Sequence, residues 1–313
     1  MLHDPYRGFR PLLTVAAALG LGFAAAPGLA APPAPASRTA DAIPDPAAPV
    51  DVELELALLV DSSDSIDPNE YALQVEGYAA AFRDPEVQAA ALGVDGIAVR
   101  YVLWASYDQQ MTFGWMRLET ANDCLRFADR IEAMGRPYAG GTLMARALDE
   151  ALHDLANNNI HSRRQVIDVS GDGIDTGYKV VERYGDAFFA LDPTDRDAIG
   201  RFYDDVAFGD RSFFPMSRAA FVDEVAACGP EETYRNHFGR HWQDVTADLP
   251  ATGYLNGISI GPAPHLQRWY EDVLPRGDGA FAMNAPDFTA FGEAIKRKLI
   301  REISEVPTAV AYD

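Results

Sequence analysis

The sequence predicts an α/β fold: a doubly wound, mostly parallel sheet of about six strands with one antiparallel edge strand and helices on both faces. Three observations predict it. Apolar runs of strand length, such as Leu54 to Val60 and Gln165 to Val169, alternate with stretches of helical period, the pattern of strands joined by crossover helices. Only one pair of strands is too closely spaced for a crossover. Polar, glycine-bearing segments follow the carboxyl ends of the apolar runs, where open α/β sheets collect their ligands.

The elements follow in order. After the first strand, Asp67-Pro68-Asn69-Glu70 starts a helix, with Asp67 as N-cap, Pro68 at the first position and Glu70 at the third. Tyr71, Val75, Tyr78 and Phe82 recur at helical spacing and supply its buried face. Ile97 to Trp104 reads as a second strand and Gln110 to Trp115 as a short third. Their connection is shorter than the dozen or so residues a parallel crossover needs, so the pair is antiparallel. Asn122 to Met134 is a helix, and Thr142 opens another with Ala147, Leu148, Ala151 and Leu155 on one side. Strands follow at Gln165 to Val169, Tyr254 to Ile260 and Ala280 to Met283, and Phe288, Phe291, Ile295 and Leu299 stripe a closing helix. Asp168 lies mid-strand among apolar residues, where an unpaired charge is costly. It therefore needs a dedicated partner, and Asn256, at similar depth on the strand expected alongside, is the predicted one.

The 313 residues, 48% apolar, suffice for one large domain with an insertion. Residues 1–30 have the layout of a secretory signal peptide: Arg7 and Arg10, an apolar stretch from Leu12 to Ala25, then Gly28-Leu29-Ala30 as the cleavage site. Export to the periplasm or the medium is the expectation. Residues 31–50, rich in Pro and Ala, read as a stiff linker; 51–306 as the folded domain; and 307–313 as a tail. No later segment has the length and apolarity of a membrane span. A net charge of −21 repels nucleic acid and anionic lipid, which makes both poor partner candidates. Cys124 and Cys228 leave one disulfide open without requiring it, and their spacing does not suit zinc.

One stretch breaks the alternation. About eighty residues separate Asp172 from the strand at Tyr254, far beyond a normal crossover. Residues 178–240 are read as a partly helical, aromatic and acidic insertion, with His241 to Leu249 as the original crossover helix. Leaving from the loop that bears Asp172, the insertion is expected to border the same rim. Asp204, Asp205 and Glu224 are its acids placed to reach an ion there. Replacing it with a short Gly-Ser linker is expected to keep the fold and alter partner binding.

Asp61-Ser62-Ser63-Asp64-Ser65 follows the first strand, Gly140-Gly141-Thr142 precedes a helix, and Ser170-Gly171-Asp172-Gly173 follows another strand. These are hard oxygen donors of the kind Mg²⁺ prefers. Each also has a plainer reading: Asp64 or Ser65 as a helix cap, Thr142 as an N-cap, Asp172 in an ordinary turn. Together the segments give D-x-S-x-S … T … D-G, which resembles the metal-ion-dependent adhesion site (MIDAS) of von Willebrand factor type A domains. The resemblance spans about Val52 to Ile303, the insertion aside. It implies Ser63, Ser65 and Thr142 as direct ligands of a divalent cation, with Asp61 and Asp172 completing the shell. Mg²⁺ is the expected ion, with Mn²⁺ or Ca²⁺ as substitutes. It further implies a protein partner that supplies an Asp or Glu carboxylate to the metal. Val166 to Gly173, Gly77 to Pro85 and Asn256 to Ile260 look like an exported bacterial subfamily with this domain and no assigned function. Ile174-Asp175 departs from the amides more usual after the D-G pair.

Enzymatic readings are weaker. A haloacid dehalogenase-type phosphatase needs a second Asp where Ser63 stands, and no G-x-S-x-G, G-x-G-x-x-G or P-loop occurs. His237 and His241 lie four apart without an H-E-x-x-H pattern, which favours a surface pair over a zinc site. The expected function is an exported, metal-dependent protein-binding module, not an enzyme. The alternatives are a metal-assisted hydrolase at the same rim and a scaffold whose metal ties loops together.

Overall fold

The computed structural model describes residues 50–106, 110–136, 140–209, 214 and 216–304. The signal-like segment 1–30, the linker up to 49 and the tail 307–313 lie outside the described residues. Seven strands form one sheet: β1 (Val50–Asp61), β2 (Ile97–Trp104), β3 (Gln110–Thr112), β4 (Met116–Leu118), β5 (Ile160–Gly171), β6 (Gly253–Ile260) and β7 (Ala282–Ala285). Their order is β3-β2-β1-β5-β6-β7, with β4 also paired to β2. β1, β2, β5, β6 and β7 run parallel, whereas β3 and β4 are antiparallel to β2. The predicted single edge strand is thus two short ones, split by the turn at Gly114, whose φ of 80° is left-handed. The architecture is a doubly wound, mostly parallel α/β sheet with helices on both faces, as expected.

One face of the sheet is covered by α1 (Pro68–Arg83), α2 (Pro85–Gly93), α3 (Ala121–Ala133) and α11 (Phe288–Ser304). Leu54, Leu56, Leu58 and Val60 of β1 point into this layer and meet Tyr78, Phe82, Phe127 and Phe291. The other face carries α4 (Met144–Asn157), α9 (Trp242–Ala247) and α10 (Pro264–Asp272), packed on Ala57, Leu59, Ile167 and Val169. Strand residues alternate between the two layers because their period is two, so both layers are anchored on the same central strands. α1 begins as its sequence dictates: Asp67 accepts from the amides of Asn69 and Glu70, and Glu70 accepts in return from the amide of Asp67. Its buried face differs in one position, since Gln74 is buried and Val75 only half-buried. Both α2 and α10 have Pro within their first turn, and neither was anticipated as a helix.

Between β5 and β6 lie α5 (Thr176–Phe189), α6 (Arg196–Gly209), α7 (Arg218–Cys228) and α8 (Pro230–Phe238), followed by α9. Val180, Phe188, Phe202, Phe214, Phe221, Tyr234 and Phe238 form a third apolar cluster there. Leu143, just before α4, belongs to that cluster, and Tyr178 packs on Trp269 of α10 at 5.5 Å between ring centres. Arg240 reaches Asp149 of α4 at 2.9 Å. The helical segment is therefore joined to the sheet layer by packing. Replacing it by a short linker would remove these contacts.

The predicted bond between Asp168 and Asn256 is not made. The two stand in register on β5 and β6, yet Asp168 accepts from the ammonium of Lys298 on α11, and Asn256 donates to Glu302. Lys298 also donates to Glu302, so one buried cation serves two buried carboxylates. Arg164 donates to the carbonyls of Glu302 and Ile303, closing the end of the same helix. Cys124 is a buried core residue and Cys228 is exposed; both are free thiols. No helix among the described residues is long and apolar enough to cross a membrane.

Candidate metal centre

Three loops meet at the carboxyl ends of β1 and β5. Register explains how: Val60 lies opposite Ser170, which puts Asp61 beside Gly171. The approach demands glycine. A Cβ on Gly171 would stand 2.7 Å from Oδ2 of Asp61, and one on Gly173 would stand 3.2 Å from Cγ2 of Thr142. The sequence S-G-D-G thus lets one loop lie flush against two others.

Asp61, Ser63, Ser65, Thr142 and Asp172 are brought together. Ser63 and Ser65 have their hydroxyl oxygens 3.0 Å apart, and Ser65 donates to Oδ1 of Asp172 at 2.7 Å. Thr142 Oγ1 lies 3.4 Å from Ser63 Oγ. Asp61 Oδ1 accepts from the Ser63 amide at 2.8 Å, folding the loop back over its own strand end. Asp61 and Ser63 form a buried floor, Ser65 is exposed, and Thr142 and Asp172 are intermediate. The two capping readings fail on geometry. Asp67, not Asp64 or Ser65, caps α1; Thr142 stands two residues before α4 and makes no cap bond to it.

The electrostatics suit a cation. Burial, and secondly the Asp172 carboxylate, push Asp61 up to about 7 despite the Ser63 hydrogen bonds. Burial raises Asp172 as well. Oδ2 of Asp61 is buried and has no hydrogen-bond donor among the described residues. A buried carboxylate oxygen without a donor is costly, and a divalent ion would satisfy it while neutralising its neighbour. Three neutral hydroxyls and two carboxylates are hard oxygen donors, so the residues present fit such an ion. No cluster of three or more His, Cys, Asp or Glu exists among the described residues, which leaves hydroxyls as the larger part of the donor set.

Several supporting residues carry no recognisable motif. Gln74 of α1 donates to the Asp61 carbonyl at 2.9 Å, and Arg136 donates to the carbonyls of Ser62 and Ser63. Ser106 accepts from the Gly141 amide at 2.6 Å. Asp175, 1% exposed, accepts from the amides of Ala145 and Tyr178 at 2.9 and 2.6 Å, and the Thr176 amide donates to the Thr142 carbonyl at 2.8 Å. That pair ties the start of α5 to the Thr142 loop. Gln74 had one visible signal, a polar residue on an otherwise apolar helical face; Arg136 had none.

Two of the three acids expected to reach an ion are engaged within the helical segment. Asp204 is held by Arg218 at 3.0 Å, and Glu224 by His237 at 3.0 Å and Asn236 at 3.1 Å. His237 and His241 face different carboxylates, Glu224 and Glu231, so they do not form a shared zinc site.

Comparison with solved structures finds similar arrangements at low identity. Proximal thread matrix protein 1 from the mussel byssus, in a form with a zinc-occupied MIDAS motif, gives a TM-score of 0.44 at 11% identity over 82% of this chain and 50% of that one. A von Willebrand factor type A protein from Catenulispora acidiphila gives 0.41 at 13% identity, over 80% of this chain and 43% of that one. The pilus adhesin SpaC from Lactobacillus rhamnosus GG gives 0.44 at 14% identity, over 82% and 31%. The chain spans half or less of each of these structures' length. Comparison with curated proteins finds no match. The family profile described as "Protein of unknown function (DUF1194)" matches residues 51–192 and 235–307, and the chain belongs to that family.

Proposed function

We propose that this chain is an exported, divalent-cation-dependent protein-binding module. The observation that carries the reading is the convergence of Ser63, Ser65, Thr142 and Asp172 around a floor where Asp61 Oδ2 is buried without a donor. Ser63, Ser65 and Thr142 would hold the ion directly, and Asp61 and Asp172 would complete the shell. Mg²⁺ is the preferred ion, with Mn²⁺ or Ca²⁺ able to replace it. A bound ion supplies Lewis acidity toward an incoming carboxylate, and neutral hydroxyl ligands leave that acidity largely unspent. The open lip formed by Ser65, Thr142 and Asp172 gives an Asp or Glu side chain of a partner protein its approach.

A hydrolase at the same rim is the weaker reading. Among the described residues the five side chains hydrogen-bond to one another and to backbone, and none is paired there with a histidine, lysine or cysteine that could act as base or nucleophile. Residues 1–30 as a cleaved signal remain part of the proposal, checked by mass spectrometry of the exported protein for a mature end after Ala30.

Titration calorimetry with Mg²⁺ and Mn²⁺ tests the site. Wild type is expected to bind, and Asp61→Ala and Thr142→Ala are expected to lose binding while keeping the far-ultraviolet dichroism of a folded chain, because the ligands sit on loops over an independent core. Unchanged affinity in both variants rejects the ligand assignment. Capture of a partner from periplasmic extract that survives EDTA rejects the role of the metal in recognition.

A further inference from the structure

The Asp61–Ser65 loop carries backbone carbonyls as well as hydroxyls, and both are good ligands for a hard cation. Something must decide which face the rim. The Asp61 carbonyl is taken by Gln74 at 2.9 Å. Arg136 takes the next two: Nη2 lies 3.0 Å from the Ser62 carbonyl and 2.6 Å from that of Ser63, and Nε lies 3.3 Å from Ser62. The guanidinium is itself held over the Tyr71 ring at 5.5 Å, and the Tyr71 hydroxyl donates to the Gly135 carbonyl at 2.8 Å. The Asp64 amide donates to the Gly140 carbonyl at 2.8 Å, so Gly140 is bonded to the loop and Gly135 to α1.

We infer that Arg136 is the positioning residue of this site: its guanidinium sequesters the Ser62 and Ser63 carbonyls, so that the Ser63 and Ser65 hydroxyls face the metal. The inference rests on the metal-binding reading above. A planar fork spans two adjacent carbonyls, whereas an ammonium presents a compact point charge without that geometry. Its positive charge is felt by the Asp61 and Asp172 carboxylates, but its hydrogen bonds go to the loop backbone, so its positioning role is on the loop's shape.

The test compares Arg136→Gln and Arg136→Lys with Arg83→Gln, which removes an ion pair between α1 and α3 far from the loop (Arg83 to Asp129 and Glu132 at 2.7 and 2.5 Å). Amide hydrogen exchange of the metal-free proteins reads the loop, and Mg²⁺ calorimetry reads the site. Arg136→Gln is expected to accelerate exchange at Asp64 and Ile66 and to weaken Mg²⁺ at least tenfold; Arg136→Lys recovers only part of each. Arg83→Gln is expected to change neither. Unchanged exchange and affinity in Arg136→Gln, with wild type binding Mg²⁺, overturns the role of Arg136 alone. Equal losses in Arg83→Gln overturn it too, by showing general loosening. Absence of Mg²⁺ binding in wild type overturns the metal reading, and Arg136's part in it falls with it.

Discussion

Asp61 and Gly171 show how much of the site depends on single atoms. Asp61 is wholly buried, and Gly171 gives its Oδ2 the only space it has on that side. Gly171→Ala puts a methyl group 2.7 Å from that oxygen, so Asp61 must turn or the strand end must shift. A loss of about 1–3 kcal/mol in stability is expected, together with weakened Mg²⁺ binding, since overpacking is released by moving the nearest group. Chemical denaturation and calorimetry check the two effects separately; a variant as stable and as tight-binding as wild type contradicts the close approach. Glu302 offers a second test. Its carboxyl is pushed up from the ordinary 4.5 to about 7, by burial first and the Asp168 carboxylate second, against the pull of Lys298. A carboxyl raised on folding holds its proton better in the folded state, so its cost appears as pH climbs from about 4.5 through about 7. Glu302→Gln keeps hydrogen-bonding groups for Lys298 and Asn256 without the charge. The thermal midpoint of wild type relative to Glu302→Gln is therefore expected to fall between pH 5 and pH 8, and a constant difference across that range refutes the assignment.

Elements meet at Leu143. It ends the loop that bears Thr142, caps the start of α4, and belongs to the apolar cluster of Val180, Phe188, Tyr234 and Phe238 in the helical segment. Beside it, Asp175 and Thr176 bond the start of α5 to the same loop. The position of the Thr142 hydroxyl is thus set from both sides of the rim, by β-sheet loops and by the helical segment. Leu143→Ala removes the apolar contact without touching a ligand. It is expected to cost about 2–5 kcal/mol and to weaken Mg²⁺ binding as Thr142 loses its support. Urea denaturation gives the first quantity and calorimetry the second; a destabilised variant with wild-type affinity shows that α5–α8 do not position the site.

Across the whole molecule, the second and third apolar clusters draw on the same stretch of chain. Tyr178 and Trp242 belong with the α4 and α10 layer, while Val180, Tyr234 and Phe238, close to them in sequence, belong with the helical cluster. Excising residues 178–240 therefore strips Leu143, Trp269 and Asp149 of partners together. The expected outcome is loss of cooperative unfolding, reversing the reading from sequence that a short linker would preserve the fold. A trimmed chain that melts in a single sharp transition would restore that reading. The family match skips residues 193–234, which leaves α5, the start of the segment, inside the matched part.

Strand–helix alternation, the capping box at Asp67 and the order of Asp61, Ser63, Ser65, Thr142 and Asp172 were all legible in the chain itself. Each is a local pattern: period, cap chemistry and residue type follow one another within a few positions. The split into β3 and β4 hung on one left-handed glycine, and α2 and α10 were hidden by short apolar patterns without a long stripe. Lys298 as the partner of Asp168 could not be read, because 130 residues separate them and register alone pointed to Asn256. Arg136 was hidden for the same reason, 74 and 73 residues from the carbonyls it serves, whereas Gln74 showed only as a polar residue on an apolar helical face. A side chain that bonds to a distant carbonyl leaves no periodic or spacing signal, and its partner is fixed when α1, α3 and the β1 loop come to rest against one another.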